Sequence, residues 1–252
     1  ALECYQQMQR DCVSPDAIAF VFALKACSSI RALNKGQEIH VEIERKGGKL
    51  GKDLLVSNAL IDMYVKCGSI VFACEVFDKL PVRDVFSWTA VISGYVENGQ
   101  GKEALENYQH MLEDNVCADG VTFIWVLKAC GNVPDAEKGH YIHADIERRG
   151  FLENDVMIGN ALIDMYAKCG LHYVVQHVFD QLPIRNVVSW NVLMEGYTES
   201  GNGSEALIRL EEMEAEGISP DNVTYICCLK ACGSMKDLVK GEYLHDEIER
   251  KG

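Results

Sequence analysis

Residues 53–83 read DLLVSNALIDMYVKCGSIVFACEVFDKLPVR, and residues 155–185 read DVMIGNALIDMYAKCGLHYVVQHVFDQLPIR, with 17 of 31 aligned positions identical. The offset of 102 residues also carries Asp84-Val85-Phe86-Ser87-Trp88 onto Asn186-Val187-Val188-Ser189-Trp190, and Leu127-Lys128-Ala129-Cys130 onto Leu229-Lys230-Ala231-Cys232. Leu24-Lys25-Ala26-Cys27 lies 103 residues before the second of these blocks, so one residue has been inserted or lost. The large repeat divides into sub-units of 35 (85–119), 36 (120–155) and 31 residues (156–186), each closing on an acid or amide. Repeats of this length are the signature of a solenoid.

Each sub-unit reads as two helices. In the 35-residue type, Trp88, Val91, Ile92 and Tyr95 recur at three- and four-residue spacing, Gly99 and Gly101 interrupt, and Ala104, Leu105, Tyr108, Met111 and Leu112 resume it. All five prolines fall at boundaries: Pro15 and Pro220 before an aspartate, Pro81 and Pro183 after a helix, Pro134 at a helix start. The pattern predicts an all-α protein with one lone helix over residues 1–10 followed by seven helix pairs. The chain starts inside a repeat and stops after a second helix, without polar capping repeats, and so reads as part of a longer array.

At 48% hydrophobic and 25% charged the composition excludes a disordered tail or a collagen, and no apolar run approaches the ~20 residues of a membrane-spanning helix. Residues 1–10 lack the layout of a signal peptide, so a targeting segment would lie outside this sequence. Twenty-four basic against 38 acidic residues, net −14, argue against duplex DNA or an anionic membrane held by a broad basic surface. The eleven cysteines are odd in number and never spaced CxxC, which favours reduced, mostly buried thiols.

NALIDMYxKCG, then VFDxLPxR, then DVxSWxxxIxGYxxxG, then LKACxxxxxxxxGxxxH, in 31-35-36 rotation, resemble the pentatricopeptide repeat family of land plants, and the alternation of unit lengths resembles its PLS subclass. The resemblance covers essentially the whole chain. It implies a right-handed α-solenoid superhelix of stacked helix-turn-helix repeats: a partial standard unit (1–16), then long (17–53), short (54–84), standard (85–119), long (120–155), short (156–186), standard (187–221) and a truncated long unit (222–252). It implies sequence-specific binding of single-stranded RNA in a chloroplast or mitochondrion, as the targeting part of a C-to-U editing factor, with an editing-complex protein as a possible partner.

The residues support a reading surface independently. Asparagine is a weak helix former and costly when buried unpaired, yet Asn58, Thr89, Asn160 and Asn191 all stand fifth in their units. Stacking would align such positions along one face. The closing residues Asp53, Asp84, Asp119, Asp155, Asn186 and Asp221 suit helix N-caps and would also lie close to the fifth positions if the turn brings the next helix alongside. Side-chain pairs of this kind can discriminate base edges. The family's pairing rule makes Asn58 with Asp84 a uracil reader, Thr89 with Asp119 a guanine reader, Asn160 with Asn186 a pyrimidine reader and Asn191 with Asp221 a uracil reader. Val21, Ile124 and Ile226, fifth in the long units, cannot hydrogen-bond a base and would be spacers, giving a target U-G-n-Y-U.

Second in each unit stand Ile18, Leu55, Phe86, Val121, Met157, Val188 and Val223, which in the family sandwich bases; ordinary packing between repeats is the alternative role. Lys66 and Lys168 match a phosphate-neutralising lysine of the family, whereas Glu97 and Glu199 occupy that place in the standard units. His140 and His143 are spaced like metal ligands, but His143 recurs as His40 and His245, as a structural residue would, while His140 gives way to Gln37 and Glu242. Recurrence also makes Cys27, Cys130, Cys232, Cys67 and Cys169 buried packing residues. The deaminase signature and the nucleotide and nucleophile motifs are missing, so no catalytic group, metal or cofactor is expected within these residues. The competing function is a tetratricopeptide-like scaffold for protein partners, which gives no reason for Asn or Thr at the fifth positions.

Overall fold

The computed structural model describes residues 1–47, 53–153 and 155–251. The last residues of the first long unit (48–52), together with residues 154 and 252 of the later long units, lie outside the described residues. Among the described residues there are fifteen α-helices, one 3₁₀ turn at Phe151–Glu153 and no strand. The lone helix is α1 (Leu2–Arg10), and the pairs are α2 (Ala17–Ile30) with α3 (Leu33–Lys46), α4 (Leu54–Lys66) with α5 (Ile70–Asp78), and α6 (Val85–Glu97) with α7 (Gly101–Glu113). Next come α8 (Gly120–Asn132) with α9 (Ala136–Arg148), α10 (Val156–Lys168) with α11 (His172–Gln181), α12 (Val187–Glu199) with α13 (Gly203–Ala215), and α14 (Asn222–Met235) with α15 (Leu238–Lys251).

The chain divides into two compact units, residues 1–129 and 130–252, with the boundary inside α8. In the first, α4 packs against α2 on one side and α6 on the other, as well as against its partner α5; in the second, α12 does the same with α10, α14 and α13. A helix with neighbours on both sides must be apolar nearly all round, and Val56, Leu60, Ile61, Met63, Tyr64 and Val65 of α4 are all buried. The second helices bury one stripe only. In α7 this is Ala104, Leu105, Tyr108 and Met111, with Lys102, Glu106 and Gln109 exposed; Leu112, which shares the predicted periodicity, is only half-buried.

The repeated motifs have local physical causes. α4 and α10 end at Cys67 and Cys169, followed by Gly68 at φ +74° and Gly170 at φ +73°, a left-handed conformation that glycine adopts without strain. Pro81 and Pro183 follow the short helices α5 and α11, and Leu80 and Leu182 are buried beside them. The arginine of LPxR stacks: Arg83 lies 4.6 Å from the Phe77 ring and Arg185 4.7 Å from Phe179. Those phenylalanines meet Trp88 and Trp190 edge to face, each pair with ring centroids 4.7 Å apart.

Two expectations are corrected. Pro134 lies in the turn before α9 rather than within its first turn, because Asp135 takes the capping role with its side chain on the Lys138 N–H. The thiols are free, but only Cys27, Cys130, Cys227, Cys228 and Cys232 are buried. Cys67 and Cys169 are half-exposed because they sit at helix ends, and Cys4, Cys12 and Cys117 are exposed. Two of the three recurrent histidines are structural, His40 Nδ1 lying 2.8 Å from the Tyr64 hydroxyl and His143 Nδ1 2.9 Å from that of Tyr166, whereas His245 is exposed beside Glu249. Burial lowers the pKa of the His40 and His143 imidazoles.

Two outcomes are expected. Trp88→Ala and Trp190→Ala each empty an equivalent aromatic site and should each cost about 3–5 kcal/mol of stability, measured by urea unfolding. The unfolded chain protonates its histidines near pH 6.5 while folded His40 and His143 resist, so the unfolded state binds more protons below that pH. Stability therefore falls as pH drops from about 6.5 through the lowered folded values, and the double variant His40→Gln/His143→Gln should show a flatter dependence in that window.

Candidate functional site

Every first helix of a pair begins directly after an acid or amide whose side chain caps it. Asp16 accepts from the Ala19 N–H, Asp53 from Leu55 and Val56, Asp84 from Ser87 at 2.8 Å, and Asp119 from Thr122 at 2.8 Å. Asp155 accepts from Met157, Asn186 from Ser189, and Asp221 from Thr224. Such caps contribute about 1 kcal/mol each by satisfying otherwise unpaired N–H groups. They also set a common register, so that the second, fifth and ninth residues of different first helices are structurally equivalent.

The structure joins fifth residues to the following caps in two ways and leaves one pair apart. Asn58 donates its amide to both carboxylate oxygens of Asp84, at 3.2 and 3.1 Å. Asn191 donates to Asp221 at 3.0 Å. Thr89 reaches Asp119 indirectly: its hydroxyl is 2.7 Å from that of Thr122, which donates to Asp119 at 2.8 Å. Asn160 makes no hydrogen bond to Asn186, whose one side-chain oxygen already accepts from the Ser189 N–H and hydroxyl. A carboxylate has acceptor capacity for a cap and an amide together; an amide oxygen is soon filled.

The third residue of the following first helix decides what remains free on the reader. Where it is serine, at Ser87 and Ser189, the hydroxyl turns to its own cap segment, and Asn58 Oδ1 and Asn160 Oδ1 are buried acceptors without a partner. Where it is threonine the hydroxyl crosses to the reader, and Thr224 donates to Asn191 Oδ1 at 2.6 Å. Asn191 is accordingly buried at 6% exposure, whereas Asn58, Thr89 and Asn160 are half-buried. Burial pushes the Asp221 carboxyl up, but hydrogen bonds from the Thr224 N–H, the Asn191 amide and the Val223 N–H outweigh it and hold the carboxyl below its usual range. The alternation of Ser and Thr at this place was readable in the sequence, but the hydroxyl direction was not.

The second residues are exposed without exception: Ile18 58%, Leu55 58%, Phe86 68%, Val121 54%, Met157 63%, Val188 48% and Val223 50%. Apolar side chains this open are not packing residues between repeats. In the first unit they flank two clefts. One of about 600 Å³ has Asn58 and Asp84 between Leu55 and Phe86. The next, about 360 Å³, has Thr89 and Asp119 between Phe86 and Val121, with Lys66 and Trp125 at its edge. Each cleft thus presents a polar pair between two apolar faces, the requirements of a flat, hydrogen-bonding ring. A larger cleft of about 800 Å³ between α1 and α3 contains none of the recurrent positions.

Lys66 and Lys168 are exposed but ion-paired, to Asp62 at 2.9 Å and Asp164 at 2.8 Å, one helical turn back. His140 binds the Ala136 carbonyl through Nδ1 and packs edge-on against Tyr166, ring centroids 5.0 Å apart, the same ring whose hydroxyl meets the half-buried His143. His245, Asp246 and Glu249 bring possible ligand atoms within 4.8 Å of one another on α15, all fully at the surface.

The PPR repeat family model matches residues 83–132 and 185–234, and the PPR repeat model matches 56–85 and 223–252, together more than half of the chain. The chain is 36% identical to the pentatricopeptide repeat-containing protein CRR2, chloroplastic, of Arabidopsis thaliana over 99% of its length and 38% of that protein's. It is 33% identical to the pentatricopeptide repeat-containing protein At3g09040, mitochondrial, of the same plant, over 100% of its length and 24% of that protein's. It therefore spans less than half the length of these relatives. Among solved structures, the pentatricopeptide repeat protein PPR10 in complex with an 18-nt psaJ RNA element matches 99% of the chain and 37% of its own at a TM-score of 0.85 and 20% identity, a likeness of fold. With the repeated helix pairs, their shared capping register and both family models in agreement, the chain belongs to the pentatricopeptide repeat family.

Proposed function

We propose that this chain binds single-stranded RNA sequence-specifically, about one nucleotide per base-reading repeat, as a PLS-type array that targets an organellar C-to-U editing factor. The observation that carries this reading is the cleft built from a polar pair between two exposed apolar residues, at Leu55, Asn58, Asp84 and Phe86 and again at Phe86, Thr89, Asp119 and Val121. A base inserted there stacks on sequence-tolerant faces while its edge meets the pair. The PPR10 structure, solved with an RNA element, has the same fold. The relatives' names, chloroplastic and mitochondrial, support an organellar setting.

The free polar atoms suggest the bases. Asp84 can only accept, so it holds the Asn58 amide with N–H toward itself and leaves Oδ1 an unfilled but buried acceptor, which a base meets only once the cleft opens around it. Uracil offers an N–H donor at its pairing edge where cytosine offers an acceptor, so uracil suits Asn58. Asn160, with the same free acceptor, reads a pyrimidine. The family's pairing rule, and not a free atom, makes Thr89 with Asp119 a guanine reader and Asn191, whose Oδ1 already accepts from Thr224, with Asp221 a uracil reader, for a target U-G-n-Y-U. The editing role, an editing-complex partner protein and the choice of organelle belong to this proposal. The family match favours an RNA reader over a tetratricopeptide-like scaffold.

Fluorescence anisotropy with short RNAs tests the reading. An oligonucleotide containing UGNYU should bind more tightly than single-base variants by about 1–3 kcal/mol per mismatch, and more tightly than the same sequence in duplex form; equal binding of all of them would remove it. A second experiment uses the chain's own internal control. Thr122 and Thr224 are equivalent partners, so Asn191→Thr recreates the hydroxyl pair of Thr89 and Thr122. The expected result is a shift of the last base from uracil to guanine preference with unchanged circular dichroism. Equal loss of affinity for both RNAs would make Asn191 a packing residue.

A further inference from the structure

The first helices carry five lysines, Lys25, Lys66, Lys128, Lys168 and Lys230, and five acids, Asp62, Glu97, Asp164, Glu195 and Glu199. Their helical residues are therefore electrically neutral, although the chain as a whole is at −14. The capping aspartates beside them face helix N-termini, which oppose their charge. The balance is unevenly arranged. The short-pair lysines, Lys66 and Lys168, are spent on Asp62 and Asp164. The other three are all the ninth residue of a long pair's first helix: Lys25 in α2, Lys128 in α8 and Lys230 in α14. All three are exposed, and among the described residues none has a carboxylate within ion-pair distance.

The surroundings of Lys25 and Lys128 connect these two to the clefts. Lys25 is part of the lining of the 600 Å³ cleft that holds Asn58 and Asp84. Lys128 lies 4.5 Å from the ring of Trp125, which lines the 360 Å³ cleft. Lys230 shares the surroundings of Cys227 with Glu195 and Glu199 without pairing to either. The long pairs also place Val21, Ile124 and Ile226 at the fifth position, so lysine is the polar group they offer where the other pairs offer a base reader. A lysine nine residues into the helix stands one turn beyond the fifth residue, on the same helical face.

We infer that Lys25, Lys128 and Lys230 are phosphate-binding residues and that the long pairs grip the RNA backbone at these lysines instead of acting as spacers. The inference rests on the RNA-binding reading and adds its missing electrostatic component. Free ammonium groups displace counterions from a phosphate, whereas Lys66 and Lys168 must first surrender an aspartate. Binding energy from the three lysines is independent of sequence.

The test is the salt dependence of anisotropy-measured affinity for a UGNYU-containing RNA and for a mismatched one. The triple variant Lys25→Ala/Lys128→Ala/Lys230→Ala should flatten the slope of log affinity against log salt by about 2, from about 0.7 per neutralised phosphate of a single strand. It should weaken matched and mismatched RNA by the same factor, and the triple arginine variant should restore the slope. Circular dichroism should be unchanged, since all three side chains are exposed. A wild-type slope in the alanine variant, with matched RNA still preferred, overturns the inference and leaves base reading intact. Loss of preference in Asn58→Ala with the lysines untouched reports on base reading alone. If the wild-type chain binds no RNA, both fall together.

Discussion

The side-chain cap at the start of each first helix is the interaction on which the rest of the structure depends. An aspartate or asparagine closes one pair and, by accepting the N–H two or three residues on, starts the next helix at a defined residue. With that origin shared, a spacing of two, five or nine residues means the same place in space in every pair of a unit. Seven open apolar side chains at the second position and the polar pairs at the fifth follow from this register.

The caps also show structure and recognition using the same atoms. Asp84 holds the Ser87 N–H and the Asn58 amide at once, and Asp221 holds Thr224 and Asn191. A charged cap does both because a carboxylate has room for several donors. Asn186 does not: its one side-chain oxygen already accepts from the Ser189 N–H and hydroxyl, and it makes no bond to Asn160. The acidity of the chain, which at first sight opposes a polyanionic ligand, is thus partly the acidity of caps whose charge meets helix N-termini and amide donors.

Much was legible in the primary structure, and the physical reason is repetition. NALIDMYxKCG and LPxR could be aligned with themselves, so the helix pairs and their turns followed from pattern, while the pairing of Asn58 with Asp84 came from the family resemblance. The departures all turn on side-chain direction or on competition for a donor. Lys66 and Lys168 look free in one dimension, but helical geometry puts Asp62 and Asp164 one turn away. Cys67 and Cys169 recur as a buried residue would, yet their place at a helix end half-exposes them. Asn191 and Asn58 occupy equivalent positions, but the methyl-bearing Thr224 hydroxyl fills the acceptor that Ser87 leaves open.

By itself the sequence determined that the chain is helical, that its helices come in pairs of three lengths, and which residues are equivalent between pairs, because hydrophobic period, turn glycines and prolines are local signals that repetition amplifies. Only the tertiary structure decided which equivalent residues are open, which are hydrogen-bonded and which lysines keep an unshared charge. Openness and the hydrogen bonds of the fifth residues depend on what the neighbouring helix pair brings within 3 or 4 Å, which no spacing within one pair encodes, whereas the lysine pairing comes from the i,i+4 spacing of one helix.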